Sequence, residues 1–179
     1  LWINQYVPST LQWEQRGVTI EQDGEFPQSS STTFTVKTTQ KQHFALNLLI
    51  PSWAEKASIS INGKKQSVKV TGKARYHPIS RKWKDSDKVQ LHLQRGFKIH
   101  HLQGDCQTIA IPYGPMLLAF IENDKIELQL TEHQLLNNLQ ATDASKGIFT
   151  LNHNGKQYTL RPLFDVDDET YSVYVQLKP

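Results

Sequence analysis

A run of acidic residues near the C-terminal end brings several hard oxygen ligands together in the sequence. The run comprises Asp165, Asp167, Asp168 and Glu169, and carboxylate oxygens are ligands that Ca²⁺ prefers. Its spacing does not match the roughly twelve-residue calcium loop of helix–loop–helix proteins, and the glycine that such a loop requires at its turn is missing. The pattern favours a solvated turn before an edge strand, and we predict no metal site in this chain.

Other acidic and imidazole side chains lack a catalytic spacing. Glu14, Glu21 and Glu25 could supply the carboxylates that glycoside hydrolysis requires, but they lie at alternating or turn positions that favour outward-facing side chains. His100 and His101 are adjacent, so in a strand they point to opposite faces and cannot easily share one metal. We therefore predict no catalytic residue in this chain.

The chain has a single cysteine, Cys106. One thiol can form neither an internal disulfide nor a thiolate zinc site. Nothing in the surrounding sequence indicates an activated thiolate, so we predict that Cys106 is a small buried or half-buried core residue. The redox compartment and the localisation stay undetermined.

Four tryptophans are the remaining side chains with a direct chemical use. Flat aromatic faces bind sugar rings, but large amphipathic rings are also favoured in cores and at domain interfaces. Packing is the favoured role for all four, which are Trp2, Trp13, Trp53 and Trp83. If the chain carries a sugar-stacking surface, we predict that Trp53 and Trp83 are its carbohydrate-binding residues.

The composition argues against a membrane or a nucleic acid as partner. Apolar residues make up 37% of the 179 residues, and the formal net charge is only +3. No apolar run approaches the roughly 18 residues of a membrane-spanning helix. The densest basic stretch, residues 75–84, is interrupted by Pro78 and Trp83 and offers no continuous basic face.

Short strands are the elements that must position these side chains. Phe44, Leu46, Leu48 and Ile50 recur at every second position, which places four apolar side chains on one face of a strand. Three motifs close or reverse such strands, with no helix-length pattern between them. They are Ile-Pro-Ser-Trp-Ala at 50–54, Ile-Asn-Gly-Lys at 61–64 and Trp-Lys-Asp-Ser-Asp at 83–87.

Two Asn-Gly pairs predict tight hairpins, because both residues tolerate the positive φ of a type I′ turn. They are Asn62-Gly63 and Asn154-Gly155. A short helix is predicted within residues 128–139, where leucines have helical spacing but no clear cap. The stretch Gln103-Gly104-Asp105 is the predicted domain boundary. The chain is therefore predicted to be all-β, with two consecutive antiparallel β-sandwich (jelly-roll-like) domains over residues 1–103 and 104–179.

The order of the motifs resembles the C-terminal, non-catalytic part of glycoside hydrolase family 127, the β-L-arabinofuranosidase type. Each matching piece is short, so the specificity of the likeness lies in their order along essentially the whole chain. The matching stretches are residues 1–9, Trp13, 17–18, 26–27, 49–54, 61–63, 83–87, 113–117 and 162–174.

This resemblance implies an (α/α)6 helical barrel upstream of Leu1, and the start of the chain without an initiator Met predicts a piece of a longer protein. In characterised members the cysteine nucleophile, the acid/base glutamate and the zinc-binding set belong to the barrel. We expect no cofactor in this chain, with zinc in the missing catalytic domain. Cys106 lies outside the family's Cys-Cys segment, and Thr170 replaces an arginine of the family's closing segment, which weakens any claim of a retained ionic contact.

The expected function is a non-catalytic accessory region of a glycoside hydrolase that supports the upstream barrel, and the isolated chain is expected to be inactive. Expected partners are that catalytic domain, arabinose-containing glycans and, in a homodimer, a second copy. The alternatives are an autonomous carbohydrate-binding module and a protein-interaction or dimerisation domain.

Overall fold

The computed structural model describes residues 1–178 and is all-β, as the sequence predicts. Strands hold 57% of the residues and helices 7%. The chain divides into two compact units, unit 1 over Leu1–Arg95 and unit 2 over Gly96–Pro179. The boundary predicted at Gln103-Gly104-Asp105 falls inside unit 2, at the turn between two paired strands.

Unit 1 consists of a three-stranded and a six-stranded sheet. Its strands are β1 (Trp2–Ile3), β2 (Ser9–Trp13), β3 (Val18–Asp23), β4 (Ser31–Thr38), β5 (Gln42–Ile50), β6 (Lys56–Ile61), β7 (Lys64–Val68), β8 (Arg75–Trp83) and β9 (Asp87–Gln94), with a 3₁₀ turn at Glu14–Arg16. The small sheet has the order β1-β5-β8 and the large one β2-β3-β4-β9-β6-β7. Only β1 and β5 pair in parallel among the described strands of this unit.

Period-2 patterning builds the core of unit 1, because alternate side chains of a strand point to opposite faces. On β5, Phe44, Leu46, Leu48 and Ile50 are all buried, as the sequence predicts. Pro51 lacks the N–H that would continue the ladder, and β5 ends at the residue before it.

A side-chain hydrogen bond joins two of the three motifs, Ile-Asn-Gly-Lys at 61–64 and Trp-Lys-Asp-Ser-Asp at 83–87. Asn62 (φ 49°) and Gly63 (φ 82°) form the predicted turn between β6 and β7. The Asn62 side-chain amide donates to Asp87 Oδ1 (2.8 Å), and Asn62 Oδ1 accepts from the Lys88 N–H (2.8 Å). Asp87 Oδ2 also accepts from the Lys84 N–H (2.9 Å). The β6–β7 turn is thereby tied to the β8–β9 turn.

Unit 2 consists of a four-stranded and a six-stranded sheet. Its strands are β10 (His100–Leu102), β11 (Asp105–Ala110), β12 (Pro112–Tyr113), β13 (Met116–Ile121), β14 (Glu127–Leu128), β15 (Leu139–Asp143), β16 (Ile148–His153), β17 (Lys156–Pro162), β18 (Tyr171–Ser172) and β19 (Val175–Leu177). One sheet has the order β10-β11-β19-β14 and the other β12-β13-β17-β16-β15, with β18 paired to β13. Asn154 and Gly155 form the second predicted hairpin turn, both with positive φ.

One short helix, α1 (Glu132–Asn138), lies in the predicted interval. Its N-terminus is closed by a capping box in which the Thr131 hydroxyl accepts from the Gln134 N–H and the Gln134 side chain accepts from the Thr131 N–H. The Thr-x-x-Gln spacing was the cap signal that leucine spacing alone did not reveal. No helix in residues 1–178 is long and apolar enough to cross a membrane.

Candidate functional site

Trp83 is part of the core of unit 1. Its side chain is 0% exposed, and its indole Nε1–H donates to the Phe44 carbonyl (3.0 Å). The indole also stacks on the Phe44 ring, with centroids 5.5 Å apart. A ring with no exposed surface offers no face to a sugar. The carbohydrate-binding role predicted for Trp83 is therefore corrected to a packing role.

Trp53 is half-buried and stacks on Phe26, with ring centroids 6.1 Å apart. The structure does not bring Trp53 and Trp83 together as one platform, because Trp83 lies within the core. Sugar binding at Trp53 stays a prediction. Trp2 is the most exposed of the four tryptophans, at 61%, and its ring meets Tyr76 edge-on at 4.5 Å.

The acidic run of unit 2 forms a salt-bridged turn. Glu169 pairs with Arg161 of β17 and accepts from the Asp167 N–H, and Asp165, Asp167 and Asp168 are exposed. Hydrogen bonds from Asp167 and Arg161 lower the pKa of Glu169. Across residues 1–178, no group of three or more His, Cys, Asp or Glu side chains could hold a metal ion.

A groove of about 480 Å³ in unit 2 gathers several reactive side-chain types. His101 bridges it, since its Nδ1 lies 2.7 Å from the Cys106 carbonyl and its Nε2 lies 2.9 Å from Glu132 Oε1. Both ring nitrogens of His101 therefore lie within hydrogen-bonding distance of an oxygen atom. Cys106 is exposed beside the groove, which corrects the core position predicted for it.

Sequence reasoning missed a second surface, a polar groove of about 300 Å³ in unit 1. It lies on the outer face of the six-stranded sheet, on β4, β9 and β6, with one end at the β6–β7 turn. Its signal in the sequence is the set of hydroxyl and amide residues between the buried positions of these strands. The residues that line this polar groove are Thr33, Ser60, Asn62, Gly63, Lys88 and Gln90.

Fold and side chains together define a two-unit β-sandwich region that carries grooves but, within residues 1–178, no metal-binding cluster. A family model described as "Beta-L-arabinofuranosidase, GH127 middle domain" matches residues 1–95. The chain belongs to this family, glycoside hydrolase family 127. The matched residues end at the same position as unit 1.

Solved structures of glycoside hydrolases share the fold over 99% of the chain. A structure titled "Glycoside hydrolase" has a TM-score of 0.70 at 16% identity. A GH127 β-L-arabinofuranosidase from Geobacillus stearothermophilus T6 has a TM-score of 0.66 at 18% identity, and a GH127 β-arabinofuranosidase has 0.66 at 17%. The chain spans only 36%, 33% and 34% of these three structures, respectively. No curated protein matches the chain.

Proposed function

We propose that this chain is a non-catalytic accessory region of a β-L-arabinofuranosidase-like glycoside hydrolase, and that it supports an upstream catalytic helical barrel. The observation that carries the proposal is the family match over unit 1, which is described as a middle domain. The chain also covers about a third of the length of its structural neighbours, which leaves most of those proteins outside the matched region.

The placement of ionisable side chains supports a non-catalytic role. Glu14 and Glu25 are exposed, and Glu21 is paired with Lys37 at 2.5 Å. Retaining and inverting glycosidases instead oppose two carboxyl groups across a substrate cleft. None of the three glutamates lines either of the two grooves described above.

An exposed aromatic pair supports contact with the catalytic part of the same polypeptide. Trp2 and Tyr76 lie on the outer face of the three-stranded sheet, since their ladder partners Asn47 and Leu49 alternate with buried residues of β5. Trp2 is 61% exposed and Tyr76 is 38% exposed. Contiguous exposed apolar surface marks contact sites, and the edge-on contact between the two rings makes their exposed surface contiguous. We assign this aromatic pair to the interface with the barrel.

The isolated chain is expected to release no product from an aryl β-L-arabinofuranoside, with or without added zinc, because the catalytic groups are assigned to the barrel. The measurement is the release of the coloured aryl group by the purified 179-residue chain. The parent glycoside hydrolase serves as the positive control. Turnover that co-purifies with the chain through a second column and rises with its concentration would contradict the proposal.

A further inference from the structure

The strands that carry the polar groove of unit 1 pack their inner faces into the core of that unit. The register places Thr33 of β4, Gln90 of β9 and Ser60 of β6 side by side in one row across three strands. Four apolar neighbours of these residues along the strands point inward and are almost fully buried. They are Phe34 (0%), Val89 (0%), Leu91 (0%) and Ile59 (1%). The row is therefore held by core-packed strands, and a binding site on such elements is well positioned.

The polar atoms of this row are available to a ligand. Within residues 1–178, the side chains of Thr33, Ser60, Lys88 and Gln90 make no hydrogen bond or ion pair with the protein. Gly63 leaves the turn open, because an added Cβ there would meet nothing within 4 Å. The groove therefore combines the half-buried hydroxyl residues Thr33 and Ser60 and the exposed amide residue Gln90 with open space at the Gly63 turn.

The charge carried by the six residues that line the groove is positive. Lys88 contributes an ammonium group, and none of the six lining residues is acidic. The nearest carboxylate along the strand, Asp87, is buried and already accepts from Asn62 and from the Lys84 N–H, with Arg81 Nη2 at 3.5 Å. Asp87 is therefore committed to the turns and does not neutralise Lys88.

This chemistry selects the ligand class. Hydroxyl and side-chain amide groups both donate and accept hydrogen bonds, as sugar hydroxyls do. An ammonium group only donates and pairs best with a carboxylate. We propose that the polar groove binds a uronate-bearing saccharide, with the sugar hydroxyls on Thr33, Ser60 and Gln90 and the carboxylate on Lys88. This site is separate from the tryptophans and goes beyond the accessory role.

Calorimetric titration of the 179-residue chain with trigalacturonate and with its neutral methyl ester tests this site. Saturable binding of the acid is expected, with weaker binding of the ester. Lys88→Met is expected to weaken the acid about tenfold or more and to leave the ester unchanged, since it removes only the charge-assisted contact. Gln90→Ala is expected to weaken both ligands. Gln12→Ala, exposed on β2 outside the groove, serves as the matched control and should change neither.

Three outcomes would overturn the assignment. The first is the absence of saturable heat with trigalacturonate. The second is equal binding of the acid and the ester, which would indicate a neutral-saccharide groove. The third is acid binding that survives Lys88→Met and Gln90→Ala unchanged. Far-UV circular dichroism of each variant verifies the fold, which both substitutions should spare because the two side chains are exposed.

Discussion

Replacement of Trp83 by alanine is expected to destabilise unit 1 by about 3–5 kcal/mol, the usual cost of truncating a large core aromatic residue. The indole has no exposed surface, and its removal also leaves the Phe44 carbonyl without its side-chain donor. Trp83→Phe keeps most of the apolar volume and loses the hydrogen bond, so it should cost about 1–2 kcal/mol.

Tryptophan fluorescence reports the unfolding of unit 1, because all four tryptophans lie in that unit. Urea unfolding followed by the remaining tryptophans should show the midpoint shifted down in Trp83→Ala. Trp2→Ala, which truncates a 61% exposed ring, is the control and should cost no more than about 1 kcal/mol in the isolated chain. Equal midpoints for Trp83→Ala and Trp2→Ala would contradict the core role of Trp83.

Replacement of Asp87 by asparagine is expected to cost about 2–3 kcal/mol at neutral pH. Asp87 accepts hydrogen bonds from two elements and faces Arg81, and hydrogen bonds to a charged group are worth about 1.5–3 kcal/mol each. Asparagine cannot accept from all of these donors, because its own NH₂ group would face one of them. The two turns would then lose their shared anchor.

The cost of Asp87→Asn is also expected to depend on pH. Burial raises the pKa of Asp87, but the Lys84 N–H, the Asn62 amide and Arg81 outweigh burial and hold it below its ordinary value of 3.8. The charged carboxylate therefore contributes stability that is present above the unfolded pKa and lost as the pH falls through the lower folded pKa.

The difference in unfolding free energy between the wild type and Asp87→Asn should therefore shrink as the pH is lowered from neutrality to below 3.8. Asp85 titrates in the same range, because the Thr38 N–H lowers its pKa. The same pH series of unfolding free energies for Asp85→Asn separates the contribution of Asp85 from that of Asp87. A difference for Asp87→Asn that stays constant over this range would contradict the hydrogen-bonded, ionised state of Asp87.

Local signals made the turns predictable from the sequence. Asn62-Gly63 and Asn154-Gly155 carry their own backbone preference, and Pro51 ends β5 through its missing N–H. The alternation on β5 likewise predicted which residues form the core. In these places the sequence and the structure agree because a few adjacent residues decide the outcome.

Long-range contacts were not predictable in this way. On β8, Arg81 lies on the same inward face as Trp83, and Pro78 lies on the outward face. Apolar and polar residues therefore do not alternate regularly along this strand, and its sequence does not predict that Trp83 is buried. The bond between Asn62 and Asp87 joins residues 25 positions apart. The polar groove likewise depends on the register of β4, β9 and β6, which no single strand specifies.

We propose that this chain supports the catalytic part of a glycoside hydrolase through the face that carries Trp2 and Tyr76. Thermal unfolding of the parent enzyme's catalytic part, with and without this chain added as a separate polypeptide, tests it most directly. We predict that a saturating concentration of this chain raises the melting temperature of the catalytic part by several degrees. A partner that binds only the folded state stabilises that state by about 2.7 kcal/mol when its concentration is about a hundred times Kd. The chain carrying Trp2→Ser should lose most of this effect. An unchanged melting temperature at saturating chain, together with no association by sedimentation, would contradict the account.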